Sequence, residues 1–410
     1  MLHRLLCASA CALTACSPEG PAFPEGFLFG AAIAPYQTEG GLDKTDWAQW
    51  EVRCSTCSHQ RADDGPGFWE RYAGDLDAAQ ALHHNTLRLG IEWARIFPSE
   101  DRFPDQPDEA AVARYREILT AARARGIAPL VTLQHYSLPV WVHELSDPAR
   151  PGWEDPAIVA RFAAWAGFCG RRFGDLVDLW QTINEPVPGI VAGWVGGVFP
   201  PGKSFATTAG LKALGHMRSA HAAAYDALYA SDSRDADGDG KPVLVSFAQN
   251  SGPFLPLSDQ PAAQATAATL ARLWNDHFLD AVTRGDVDGD FDGSLDGPAD
   301  VRGDATLAGR LDFIGLNYYY EGHPAPSDYS DGATIYGRLQ VALNTLDVAC
   351  GARSAKVSLM GFSRGSAMTF EVLARDLAGP ARELPLAAPE HDARRERAVG
   401  DARHPAHRKV

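Results

Sequence analysis

The sequence predicts an α/β chain folded as a (β/α)8 TIM barrel that is incomplete or irregular at its last strands. Three observations carry this prediction. Short apolar runs alternate with longer segments whose apolar residues recur at i, i+3 and i+4, the pattern of parallel strands joined by crossover helices. Polar or aromatic residues stand at the end of every run, as in barrels that gather their active site at the strand C-termini. A doubly wound open sheet is the alternative, but no glycine-rich phosphate loop follows the first run.

The strand runs, in order, are Leu28 to Ala34, Asn85 to Ile91, Ala128 to Leu133, Leu179 to Asn184, Val243 to Phe247 and Leu311 to Leu316. They end respectively in Gln37 and Glu39, Arg88 and Glu92, His135, Glu185, Gln249 and Asn250, and Asn317 with Tyr319. Helical spacing fills Glu109 to Arg125, Ala157 to Phe173, Ala206 to Tyr229 and Gln260 to Val282. The fourth run, Leu179-Trp180-Gln181-Thr182-Ile183-Asn184-Glu185-Pro186, is the most informative. A carboxylate ending a buried strand must reach solvent at the strand mouth or cost several kcal/mol, and Pro186 then stops the ladder. The chain divides into a leader and anchor region over 1–20, a barrel over 21–340 holding strands one to six, and a divergent, truncated or frameshifted segment over 341–410.

A chain of 410 residues, 45% hydrophobic, can bury a large core in one domain or two smaller ones. Its net charge of -15 argues against nucleic acid or an anionic membrane surface as partner. With 10 Trp, 11 Tyr and 18 Phe it suits a neutral carbohydrate, whose rings stack on aromatic faces while amides and carboxylates take the hydroxyls. The first residues, a basic start, a short apolar stretch and small residues before Cys16, read as an export signal too short to span a bilayer. Leu13-Thr14-Ala15-Cys16 resembles the lipobox of bacterial lipoproteins, which implies acylation at Cys16 and a cell-envelope location, with plain secretion or a periplasmic location as the alternative. Membrane association is then expected only through the lipid anchor. Cys54 and Cys57 are spaced for a local disulfide or half a zinc site, but no second pair exists. Cys169, within a helical pattern, reads as a buried small apolar residue.

Two acidic stretches interrupt the alternation. Asp235, Asp237 and Asp239, and Asp286, Asp288 and Asp290, stand at alternate positions before glycines, the start of a calcium loop. Ser246 and Gly297 occupy the twelfth positions where such loops carry Glu, so solvated acidic loops are the other reading.

Five motifs resemble glycoside hydrolase family 1, the β-glucosidase and β-galactosidase group of retaining barrels. They are Phe23-Pro-Glu-Gly-Phe-Leu-Phe-Gly through Gln37-Thr-Glu39-Gly; Leu87-Arg88-Leu-Gly-Ile-Glu-Trp93-Ala-Arg95; Pro129-Leu-Val-Thr-Leu-Gln-His135-Tyr136-Ser-Leu-Pro139; Thr182-Ile-Asn184-Glu185-Pro186 followed by Gly196 to Gly202 and by His216 to His221; and Leu311-Asp-Phe-Ile-Gly-Leu-Asn317-Tyr318-Tyr319. The resemblance implies a small β-glycoside substrate and no cofactor. Glu185 would be the acid/base; Gln37, His135, Tyr136, Asn184 and Asn317 would bind the sugar; Arg88 and Tyr319 would orient a second carboxylate. The family usually has Trp where Tyr136 stands, so the sugar platform is expected to differ. Trp93 and Tyr318 read as packing.

The resemblance stops short of the nucleophile. A retaining glycosidase needs a second carboxylate about 5 Å from the first, in this family the Glu of Thr-Glu-Asn-Gly. That motif is absent, as is any Trp after Trp274. Among Glu371, Glu383, Glu390 and Glu396, Glu390 keeps the spacing best and is the candidate nucleophile. Without a working partner, Glu185 would belong to a non-catalytic sugar-binding relic. A third reading is a serine esterase: Gly361-Phe-Ser363-Arg-Gly365, with a strand over Val357 to Met360 and a helix over Ala367 to Leu377, resembles an α/β-hydrolase elbow, with Asp392 and His404 or His407 left to complete a triad.

Overall fold

The computed structural model describes residues 26–54, 61–62, 65–256, 258–318, 356–364 and 367–375. Eight strands close a barrel: β1 Phe29–Ala32, β2 Thr86–Gly90, β3 Ala128–Gln134, β4 Leu179–Asn184, β5 Leu244–Asn250, β6 Ile314–Tyr318, β7 Lys356–Arg364 and β8 Ala367–Arg375, in the spatial order β1-β2-β3-β4-β5-β6-β8-β7. The helices are α1 Pro35–Thr38, α2 Asp46–Arg53, α3 Phe68–Ala81, α4 Trp93–Ile96, α5 Glu109–Ala124, α6 Ile158–Phe173, α7 Pro186–Ile190, α8 Thr207–Ser231, α9 Pro261–Ala271 and α10 His277–Arg284.

β1 to β6 pair in parallel in chain order, and each has its predicted counterpart. The sixth begins three residues later than expected, because Asp312 is held in the preceding turn. Its carboxylate accepts from Val245 N–H at 2.7 Å and from the Tyr225 and Tyr229 hydroxyls at 2.8 Å each. The helix expected over Gln260 to Val282 is α9 and α10 joined through a π-helical segment, Arg272–Asp276.

The last two strands are irregular, as predicted. β7 joins β1 in parallel, but β8 runs antiparallel to both β6 and β7. This overturns the elbow geometry: the segment expected as a helix from Ala367 is strand β8, so Ser363 lies on one arm of a hairpin instead of a strand-to-helix turn. Met368, Phe370, Val372 and Ala374 repeat with a period of two that a strand can use, and pairing with β6 and β7 decides against the helical reading.

Leu130, Leu179 and Phe313, with Leu28 and Leu244, fill the lower end of the barrel, where the strands begin. A larger core between sheet and helices includes the fully buried Trp93, Trp165 and Trp180. Trp93 stacks on Trp165 with ring centres 5.8 Å apart and planes 6° apart, and so packs as predicted. α8 is pinned to β4 through His221, whose Nδ1 meets the Thr182 hydroxyl at 2.6 Å and whose Nε2 meets the Arg310 carbonyl at 2.7 Å. Burial pushes that imidazole down to about 4, so it is neutral. Cys169 is buried and free, and Cys54 is disulfide-bonded. Cys57 and Cys16 lie outside the described residues.

Candidate active site

With the lower end filled, the upper end is where polar groups meet. β4 delivers Asn184 and Glu185 there, both buried. Glu185 leaves the strand in the left-handed conformation, φ 48° and ψ 66°. For a non-glycine residue this costs about 1–3 kcal/mol, and such strain concentrates at functional sites. The turn is held from both sides: Glu185 N–H donates to the Ala248 carbonyl at 2.8 Å, and Pro186 opens α7 with its ring in the first helical turn, where no N–H is required.

The polar network can be built outward from Arg88, which has only donors. Its Nε donates to the Thr132 hydroxyl at 2.9 Å and its Nη2 to Asn184 Oδ1 at 2.7 Å, which fixes the orientation of the Asn184 amide. Asn317 must then present its NH2 to that oxygen, at 3.2 Å, and the same Nδ2 donates to Glu185 Oε1 at 2.7 Å. Asn250 Nδ2 adds a second donor to Oε1 at 3.0 Å, while its own Oδ1 accepts from Trp274 Nε1 at 2.8 Å. Trp274 lies in the π-helical segment, so that helical irregularity has a role in aiming Asn250. Glu185 Oε2 accepts from the Tyr136 hydroxyl.

The structure therefore brings Glu185, Asn184, Asn317, Arg88 and Tyr136 into one network. His135 adjoins it, its ring 5.3 Å from that of Tyr136. Burial, reinforced by the Arg88 guanidinium, holds the His135 imidazole well below its usual range and therefore neutral. Gln37 is half-buried on α1, beyond β1, and makes no hydrogen bond to Glu185. Tyr319, Glu390, Asp392, His404 and His407 lie outside the described residues. Asn250 was visible in the sequence only as a polar residue at a strand end; its contact with Glu185 was not. Beside Glu185 a cavity of ≈ 30 Å³ is lined by Tyr136, Gly189, Trp194 and Phe199, among other residues.

A second buried carboxylate, Glu39, belongs to a separate cluster with Arg95 at 3.1 Å and the Tyr115 hydroxyl at 2.9 Å. Burial pushes it up to about 7 in spite of the Arg95 charge. The fold thus binds this proton more tightly than the unfolded chain does. Glu39 contributes stability that is complete below its ordinary value of 4.5 and is lost as pH rises towards 7. In Glu39→Gln, denaturant unfolding followed across that window should show a shallower loss of stability with pH than in the parent.

The acidic loops differ from the predicted ligand sets. Asp178 replaces Asp239 beside Asp235 and Asp237, and Asp292 replaces Asp286 beside Asp288 and Asp290. The displaced members are engaged elsewhere: Asp239 accepts from Lys241 N–H at 2.9 Å, and Asp286 accepts from Gly303 N–H at 2.9 Å. Asp235 is itself occupied by the Gly238 and Gly240 N–H groups.

Comparison with known proteins gives this geometry its family. The model of Glycosyl hydrolase family 1 matches residues 20–347. The chain belongs to that family. It is 32% identical to a β-galactosidase of Pyrococcus woesei over 349 residues, covering 72% of this chain and 67% of that protein. It is equally identical to a β-galactosidase of Saccharolobus solfataricus, with 72% and 65% covered, and to β-glucosidase 4 of Oryza sativa, with 72% and 61% covered. Among solved structures, the rice Os3BGlu6 β-glucosidase superposes with a TM-score of 0.64 at 28% identity over 72% of this chain and 64% of that one. A β-glycosidase of Pyrococcus horikoshii gives 0.61 at 29% identity, over 73% and 63%. The chain thus spans about two thirds of the length of the proteins it matches, and its barrel is the family's fold.

Proposed function

We propose that this family 1 chain is a retaining β-glycosidase that hydrolyses O-linked β-glucosides or β-galactosides with Glu185 as its acid/base. The observation that carries this reading is the placement of Glu185: buried at the upper end of β4, strained in backbone, and hydrogen-bonded through both carboxylate oxygens. Two further atoms support a sugar in the site. His135 Nδ1 and Asn317 Oδ1 are buried without a hydrogen-bond partner among the described residues. Unpaired burial costs about 1–3 kcal/mol per group, which hydroxyls of a bound sugar would offset. A mutant of the rice Os3BGlu6 β-glucosidase has also been solved in a covalent complex with Glc.

The second carboxylate comes, in this reading, from the C-terminal segment. Glu390 has the family spacing, while β8 carries Glu371 at the register position opposite Asn317. A non-catalytic sugar-binding relic is the competing reading, favoured by the missing Thr-Glu-Asn-Gly motif. Purified protein should both hydrolyse an aryl β-glucoside or β-galactoside and bind the free sugar competitively. Binding with no turnover would support the relic.

For location, we propose that the chain is exported and anchored by acylation of Cys16, the reading supported by the leader and its lipobox-like end. No helix among the described residues is long and apolar enough to cross a membrane. Cys16→Ser should release the protein from the membrane fraction and abolish labelling by a fatty-acid probe; unchanged labelling would contradict the anchor.

A further inference from the structure

The two carboxylate oxygens of Glu185 are held by chemically different partners, and the difference assigns a role to Tyr136. Oε1 faces two amide NH2 groups, from Asn317 and Asn250. Neither amide is free to turn its oxygen towards Glu185. Asn317 is held by Asn184 Oδ1, itself fixed by Arg88, and Asn250 is held by the Trp274 indole N–H. An amide NH2 has no acceptor to offer a carboxylic proton. Oε2 instead meets a phenol, which donates to a carboxylate and accepts from a carboxylic acid.

We propose that Glu185 carries its catalytic proton on Oε2 and that Tyr136 is the positioning residue for that oxygen, not the sugar platform expected from the sequence. Tyr136 Oη donates to Oε2 when Glu185 is ionised. When Glu185 is protonated and the site holds no sugar, the hydroxyl turns and accepts from the Oε2 proton, so the same pair of atoms stays together in both states. With a glycoside bound, the Oε2 proton turns to the leaving oxygen and the Tyr136 O–H donates to the other lone pair of Oε2. The Oε2–H bond breaks as the leaving oxygen takes the proton, and the carboxylate that remains keeps the Tyr136 donor. The backbone supports such a fixed placement. Tyr136 has φ 70°, and its ring lies edge-on to Phe199 at 5.3 Å and to His135 at 5.3 Å. An indole in the same place would donate only, so the hydroxyl adds an acceptor that a tryptophan lacks.

The proposal rests on Glu185 being the acid/base, and its test separates the two claims. The first readout needs no turnover: in the full chain, proton NMR should show a downfield hydroxyl resonance from the Tyr136–Glu185 bond, absent in Tyr136→Phe. The second uses two substrates, a phenyl β-glucoside whose leaving oxygen needs a proton and a dinitrophenyl β-glucoside whose leaving oxygen does not. Tyr136→Phe should lower kcat/KM for the phenyl glucoside at least ~10-fold more than for the dinitrophenyl glucoside, since general acid assistance matters only for the poorer leaving group. Tyr136→Trp, which restores a donor, should recover part of that difference. Equal losses on both substrates, or a resonance that survives in Tyr136→Phe, would overturn the proposal. If the parent protein turns over neither substrate, the catalytic reading fails, while the resonance still decides whether Tyr136 holds Oε2.

Discussion

Glu185→Gln is expected to lower kcat for a phenyl β-glucoside by ~10²–10⁴-fold, the usual contribution of a positioned general acid and base. The substitution is conservative for structure. The glutamine oxygen can take the place of Oε1 and accept from Asn317 and Asn250, at 2.7 and 3.0 Å in the parent, while its NH2 faces the Tyr136 hydroxyl, which can accept. What is lost is the exchangeable proton. A competitive sugar ligand should therefore bind within a few-fold of its parent affinity, so that kcat falls while binding persists. Steady-state kinetics with an inhibition constant measured on the same preparation would check this. A comparable loss of binding would mean that the variant damaged the site rather than its chemistry.

The largest stability effect is expected at Trp165→Ala. This side chain is fully buried, stacks on Trp93 at 5.8 Å and on Phe168 at 5.9 Å, and meets Phe97 edge-on at 6.2 Å. Its indole N–H also donates to the Leu133 carbonyl at 3.1 Å, on the strand that leads to His135 and Tyr136. Truncation removes apolar burial, leaves a cavity between rigid rings and takes the indole donor from that carbonyl, for a cost of about 3–5 kcal/mol. Equilibrium denaturation should show the loss, and Trp165→Phe, which keeps most of the ring contact, should lose substantially less. Because β3 carries the site residues at its upper end, activity should decline with stability in the alanine variant.

Most of the barrel was legible in the sequence because its signals are local. Each of β1 to β6 is a short apolar run bounded by turn residues, and α5, α6 and α8 show the helical period over 16, 16 and 25 residues. The position of Glu185 at the upper end of β4 was legible for a related reason: the apolar run ends in a carboxylate, and Pro186 stops the ladder. The contacts of Glu185 were not legible, since Asn250, Asn317 and Tyr136 lie 65, 132 and 49 positions away, and only the closure of the barrel brings them together. Tyr136 shows the limit most clearly. An aromatic ring beside His135 suggests stacking on a sugar, and nothing local in the sequence shows that a left-handed backbone at Tyr136 accompanies a hydrogen bond from its hydroxyl to Glu185 Oε2. The helix expected at Ala367 failed because an apolar segment of nine residues fits either period, and pairing with β6 and β7 decided between them.

The central claim is that this barrel carries out retaining chemistry, which requires a glutamate other than Glu185 to bond covalently to the sugar. It is tested most directly by incubating the full chain with a dinitrophenyl glucoside fluorinated next to the anomeric carbon, a reagent that slows release of the glycosyl-enzyme. Intact mass and peptide mapping then locate the adduct. The account predicts one fluoroglucosyl group per chain, formed with a stoichiometric burst of dinitrophenolate and located on a C-terminal glutamate, Glu371 or Glu390. A reagent that binds yet gives neither burst nor adduct would contradict it, and would leave Glu185 in a site that holds sugar without cleaving it.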